Sequence, residues 1–331
     1  MKLSILDQSP ISANQTPQDA LIESMKLAQT GEEYGYTRYW IAEHHDLPGL
    51  ACPTPEVVLG YIGAHTNRIR IGSGAVLLPH YRPYKVAEAF NTLATLFPDR
   101  IDLGIGRAPG GSAEATNALS TNFLKQTWDM PNLVKELIHF LNDNFPEGHE
   151  YEKVSASPIP ENPPIAWLLG TSEKSALLAA ENGLPYTFGQ FMSDKNGAEI
   201  IQTYLERFQP RRTSDRPEVI VTVSAFCAET TEKAEVMALT SIIWGIQREK
   251  NEGNGLIPST EEAMQYKLTP KEKEVVEKRK QQMIIGTPRG VKERLIDIQS
   301  QYHTDEIMIV TNTYSTKDRV QSYKLIAEEI L

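Results

Sequence analysis

The sequence predicts a closed (β/α)8 TIM barrel, and three observations carry that prediction. Short apolar runs alternate with helical segments eight times along 331 residues, and strict β/α alternation produces a parallel sheet. Successive runs lie about one βαβ unit apart. Polar and glycine-rich residues gather where four of the runs end, and in such a barrel those ends share one face. An open doubly wound sheet is the alternative architecture for the same alternation.

In order, residues 3–6 form the first strand, and helical periodicity follows over 17–34. A strand at 38–42 precedes a helix at 55–66, and a strand at 69–77 precedes a helix at 85–96. The strand at 101–105 leads into a longer helical region, clearest at 132–142. Residues 146–164 are rich in proline and polar side chains and read as a long loop, because the alternation resumes at once. Strands at 165–169, 186–188 and 219–227 are each followed by a helix, at 174–182, 195–208 and 233–247. Residues 248–285 are polar, mixed in charge and glycine-containing, and read as an insertion before the last βα unit. Within it, the mixed charges of 271–280 suit a solvated helix face. A helix at 288–302, a strand at 306–310 and a helix at 317–330 complete one expected domain over 1–331.

Composition narrows the function classes. A net charge of −10 speaks against a broad nucleic-acid or anionic-membrane surface. No apolar run reaches membrane-spanning length, and the chain opens on a strand where a secretory leader would show a basic start and an apolar stretch. Cys52 and Cys227 are far apart and lack metal-ligand spacing, so both are expected as free thiols in a reducing cytoplasm.

The candidate chemistry lies at the strand ends. The second strand closes on Glu43-His44-His45, and two imidazoles beside a carboxylate can move protons near neutral pH or bind a metal. Neighbours on an extended strand point to opposite faces, and no HxH or HExxH pattern occurs, so no metal site is expected. A purely structural histidine pair remains open. The turn after the fourth strand holds Gly104, Gly106, Gly110 and Gly111 around Arg107, but Pro109 breaks the dinucleotide spacing GxGxxG. Those glycines suit a flat ligand close to the backbone, and Arg107 is either its phosphate partner or a surface arginine. At the turn after the fifth strand, Gly170 allows close approach of a ligand. Thr171, Ser172 and Ser175 start the next helix there, either as a plain N-cap or as a phosphate cradle.

Taken together, these segments resemble the luciferase-like flavin monooxygenases. The resemblance is carried by residues 39–45 (YWIAEHH), 69–80 (IRIGSGAVLLPH), 83–88 (PYKVAE) and 103–107 (LGIGR), in the order and spacing of that family. The turn at 170–175 and the segment 307–313 extend it over nearly the whole chain. The resemblance implies a TIM barrel that binds FMN at the strand C-termini, with His44 at the family's catalytic position and His45 beside it. It also implies a non-proline cis peptide at Gly74–Ala75 under the flavin ring, and Arg107, Ser172 and Ser175 at the FMN phosphate. Gly170 and Thr171 belong to the same turn. Luminescent members carry a cysteine where this chain has Gly106, which leaves more room over the ring and speaks against light emission.

The activity so implied is a monooxygenase using reduced FMN and molecular oxygen on a small organic substrate. With no dinucleotide fingerprint in the chain, reduced flavin is expected from a separate flavin reductase. A deazaflavin-dependent oxidoreductase of the same fold and a non-catalytic flavin-binding protein are the alternatives. The insertion 248–285 is the candidate lid over a site closed to water, and Trp244 and Tyr81 are candidates for either the substrate pocket or the core. An imidazole at position 44 would ordinarily titrate near pH 6.5. A homodimer is expected, partly from the resemblance and partly because Val57, Val58, Leu59 and Ile62 offer more apolar surface than one barrel-facing stripe needs.

Overall fold

The computed structural model describes residues 1–331. Its strands are β1 (Lys2–Asp7), β2 (Arg38–Ile41), β3 (Arg70–Leu77), β4 (Ile101–Gly106), β5 (Ile165–Gly170), β6 (Tyr186–Gly189), β7 (Val219–Cys227), β8 (Ile284–Gly286) and β9 (Glu306–Val310). Its helices are α1 (Pro17–Glu33), α2 (Pro55–Ala64), α3 (Pro83–Leu96), α4 (Ala113–Leu119), α5 (Phe123–Trp128), α6 (Met130–Asn142), α7 (Glu173–Glu181), α8 (Gly197–Arg207), α9 (Thr231–Glu249), α10 (Thr260–Gln265), α11 (Pro270–Gln282), α12 (Pro288–Tyr302) and α13 (Thr316–Ile330).

The sheet runs β6-β5-β4-β3-β2-β1-β9-β7-β8, and β6 also pairs with β7, so eight parallel strands close into a barrel. Strands buried on both faces explain the nearly unbroken apolar runs in the sequence. The ninth strand is a correction, because residues 284–286 fall largely in the expected insertion. β9 pairs with β7 only as far as Ser224, and β8 fills the free edge left at Ala225–Cys227. Helix starts follow local chemistry. Thr16, Ser172, Ser259 and Thr269 form capping boxes, and proline opens α1, α2, α3, α6, α11 and α12.

Inside the barrel Leu6, Trp40, Trp167, Ile220 and Met308 form an apolar layer, with Trp40 and Trp167 edge to face at 5.5 Å. Below it lies a charged floor. Arg38 donates to Glu306 at 2.7 Å and to Asp102 at 2.8 Å, and its guanidinium lies over Trp167 at 4.7 Å. The top of the barrel is therefore the end left open to a ligand. Outside the wall, Arg319 of α13 reaches buried Asp7 at 2.5 Å, and the Tyr39 hydroxyl donates to the same carboxylate. Burial raises the Asp7 pKa, but the Arg319 charge and these hydrogen bonds outweigh it and hold the carboxyl below its ordinary value.

The segment between α9 and α12 is packed against the rest of the chain. Ala263 and Val276 join Ile242, Ile243 and Ile246 of α9 in one apolar cluster, and Ile257 forms a bridge with Ser12. No helix is long and apolar enough to cross a membrane. The surplus apolar surface expected on α2 is smaller than the sequence suggests. Val58, Leu59 and Ile62 are buried against the barrel, which leaves Val57 exposed with the half-exposed Tyr61 one turn on.

Candidate active site

Strand alternation sets the geometry of the histidine pair. Trp40 and Ala42 face the barrel interior, and His44 follows them inward while His45 turns outward; Glu43, between them, still touches the cavity. His44 lines a cavity of about 560 Å³ at the strand C-termini, within the roughly 300–1,000 Å³ typical of small-molecule and cofactor sites. His45 does not line it. Its Nε2 meets the Glu43 carboxylate at 2.7 Å. The same carboxylate accepts from the Tyr81 hydroxyl at 2.7 Å and the Leu77 amide at 3.0 Å. His45 was expected with His44 in the catalytic pair; the structure gives it a supporting position behind the cavity wall. Tyr81 is spent in the same way, and Trp244 packs with Leu50 and Ile257 while donating to the Gly255 carbonyl. Neither aromatic lines the cavity.

The remaining expected residues converge. Gly74, Ala75, Gly106, Arg107, Gly170, Thr171, Ser172 and Ser175 all line the cavity with His44. The Gly74–Ala75 peptide is cis, as the resemblance implies. There the pairing of β3 with β4 shifts register, which releases both residues from the ladder. At Gly106 a side chain would crowd Ala75 at 3.0 Å. At Gly170 an added Cβ would collide with Ser175 Oγ. Ser172 caps α7, its hydroxyl accepting from the Ser175 amide at 3.3 Å, while Ser175 Oγ donates to the Ser172 carbonyl at 2.6 Å. The turn is an N-cap whose residues also line the cavity.

Burial, followed by the nearby charges of Arg248 and His45, pushes His44 down to about 4. This corrects the expectation of an imidazole titrating near pH 6.5. His44 is neutral at physiological pH, and its buried Nδ1 has no hydrogen-bond partner within the chain.

Sequence reasoning missed Gln8, Thr187, Phe191, Met192, Lys195 and Thr222, which also line the cavity. Gln8 follows β1, and Phe191, Met192 and Lys195 follow β6, so the strand-end rule applied to all eight barrel strands would have found these four, whereas Thr187 and Thr222 lie within β6 and β7 and carry no strand-end signal. The expected lid contributes nothing to the lining. It grips the rim instead, as Lys278 and Gln282 of α11 bind Asp194 at 3.1 and 2.5 Å.

A family model described as luciferase-like monooxygenase matches residues 1–305. The chain belongs to the luciferase-like monooxygenase family. It is 40% identical to the Bacillus subtilis protein YceB over 99% of both chains. It is 35% identical to N-acetyl-S-alkylcysteine monooxygenase of the same organism, over 100% of this chain and 98% of that one. The solved structure of apo-MsnO8 superposes with a TM-score of 0.88 at 33% identity, covering 99% of this chain and 98% of that chain. Structures that share the fold at greater distance include the oxygenating constituent of 3,6-diketocamphane monooxygenase in complex with FMN, at 18% identity and TM-score 0.70. An F420-dependent secondary alcohol dehydrogenase, at 13% and 0.70, shares the fold as well. At those identities the likeness shows the fold alone.

Proposed function

We propose that this luciferase-like chain is an FMN-dependent monooxygenase acting with molecular oxygen on a small organic substrate. One observation carries the reading: a single cavity gathers cationic Arg107 and the hydroxyl-lined turn of α7, a glycine-lined wall at Gly74, Ala75 and Gly106, and inward-facing His44. Those three features suit, in turn, a phosphate, a flat ring and a reacting edge. The residues present therefore fit FMN, with Arg107, Ser172 and Ser175 at its phosphate and Gly74, Ala75 and Gly106 along its ring. When bound, reduced FMN supplies the electrons that activate oxygen. The chain's part is to bind, orient and exclude water. The Leu6, Leu77, Leu169 and Phe191 side chains keep the cavity largely apolar. Neutral His44 holds one ring proton and offers one lone pair, so it can accept a proton at physiological pH or donate a hydrogen bond, and it carries no resident positive charge.

The chain carries no dinucleotide fingerprint at the β4 turn, so reduced flavin is proposed to come from a separate flavin reductase in the cytoplasm. A homodimer is proposed as well, and sedimentation at low micromolar concentration showing only a 37.1 kDa species would reject it. N-acetyl-S-alkylcysteines are the first substrates to try, because a relative matching over its whole length is named for them. Oxygen uptake with photoreduced FMN, measured against free flavin alone, tests the activity. Substrate-dependent product formation supports it; uptake equal to the free-flavin background with every candidate favours a protein that only holds flavin.

A further inference from the structure

We propose that Lys195 is a second cation for the cofactor phosphate, opposite Arg107 across the α7 turn. This inference rests on the FMN reading above. Strands β4, β5 and β6 are consecutive neighbours in the barrel. Arg107 follows β4, the Thr171–Ser175 turn follows β5, and Lys195 follows β6, and all three line the same cavity. The turn is therefore flanked by one positive side chain on each side. The β6 end lies close to the turn: a Cβ on Gly189, the last residue of β6, would lie 3.3 Å from the Thr171 methyl.

Three further facts separate this arrangement from a solvated surface lysine. Both Arg107 and Lys195 are exposed at the cavity, and neither side chain is engaged in a hydrogen bond or ion pair. The carboxylate beside Lys195 cannot neutralise it, because Asp194 is committed to Lys278 and Gln282 on α11. The backbone at Lys195 is also held, its amide donating to Ser193 Oγ at 3.2 Å. In a chain of net charge −10, two unpaired cations facing one cavity mark the place where an anion is stabilised. A phosphate dianion between them meets one bidentate planar partner and one flexible point charge. Insertion helix α11 acquires a role here: by holding Asp194 it keeps the rim segment in place and leaves Lys195 free for the ligand.

The test uses FMN and riboflavin, which share the ring and differ by the phosphate. Dissociation constants are measured by fluorescence quenching for the wild type, Lys195→Ala and Lys195→Arg, at low and high salt. Lys195→Ala is expected to weaken FMN about tenfold or more, leave riboflavin within twofold, and flatten the salt dependence of FMN binding. Lys195→Arg should retain most of the affinity. If the wild type prefers FMN to riboflavin but Lys195→Ala binds both as before, or weakens both equally, the role of Lys195 is overturned while the FMN site stands. If the wild type shows no preference for FMN, the cofactor reading fails and this inference fails with it.

Discussion

His44 is held uncharged by its surroundings, and that has a measurable consequence for folding. In the unfolded chain its imidazole titrates near pH 6.5, whereas in the native structure burial, with Arg248 and His45, lowers this to about 4. Below pH 6.5 the unfolded chain therefore binds a proton that the native chain refuses, so stability is lost as pH falls from about 6.5 to 4 and is fully retained above that window. A proton affinity lowered this far corresponds to at most about 3 kcal/mol, and the partial exposure of the ring at the cavity wall brings the real loss below that ceiling. The perturbation is His44→Gln, which keeps a polar group in the cavity and removes the titration. Urea unfolding of the cofactor-free protein at half-unit steps from pH 7.5 to 4.5 gives the free energy for both chains. Carboxylates titrate in the same window, but they contribute equally to both chains and cancel in the difference. The variant is expected to lose roughly 1–3 kcal/mol less than the wild type over the acid limb. Parallel curves would mean that the native imidazole titrates normally, which would refute the account of its environment.

Arg107→Ala should weaken FMN binding roughly ten- to hundredfold, the worth of one charge-assisted contact of about 1.5–3 kcal/mol; an unchanged constant in a fluorescence titration rejects its role. Gly170→Ala drives a methyl group into Ser175 Oγ. It should cost about 1–3 kcal/mol of stability in urea melts and lower FMN affinity with it, whereas a neutral result in both would show that the turn is not tightly packed. Arg319→Met leaves the Asp7 carboxylate buried without its counter-charge and should cost about 3–5 kcal/mol, read by the same melts.

The barrel was legible because its information is local. Eight apolar strand runs, each followed by a helical period, are visible residue by residue, and their order leaves few topologies. The site was legible where a strand end carries unusual residues, as at Glu43-His44-His45, Arg107 and Gly170-Thr171-Ser172. It was illegible where the residues are ordinary. Gln8, Thr222 and Lys195 become notable only when β1, β7 and β6 are placed around one cavity. The lowered proton affinity of His44 was equally hidden, since it comes from burial and from Arg248, some two hundred residues away in sequence. The charged floor is a similar case: Arg38, Asp102 and Glu306 sit at the N-terminal ends of apolar strands and read as ordinary strand-start polar residues until closure brings them together. The short strand β8 escaped notice because three residues carry no periodicity, and its existence depends on β7 being longer than its partners.

A crystal structure of the protein soaked with FMN tests the central claim most directly. The account predicts the phosphate within hydrogen-bonding distance of Arg107 and the Ser172–Ser175 turn, the ring along Gly74, Ala75 and Gly106, and the His44 imidazole facing the ring. Density for FMN elsewhere, or a cavity that excludes FMN while admitting a deazaflavin, would contradict it.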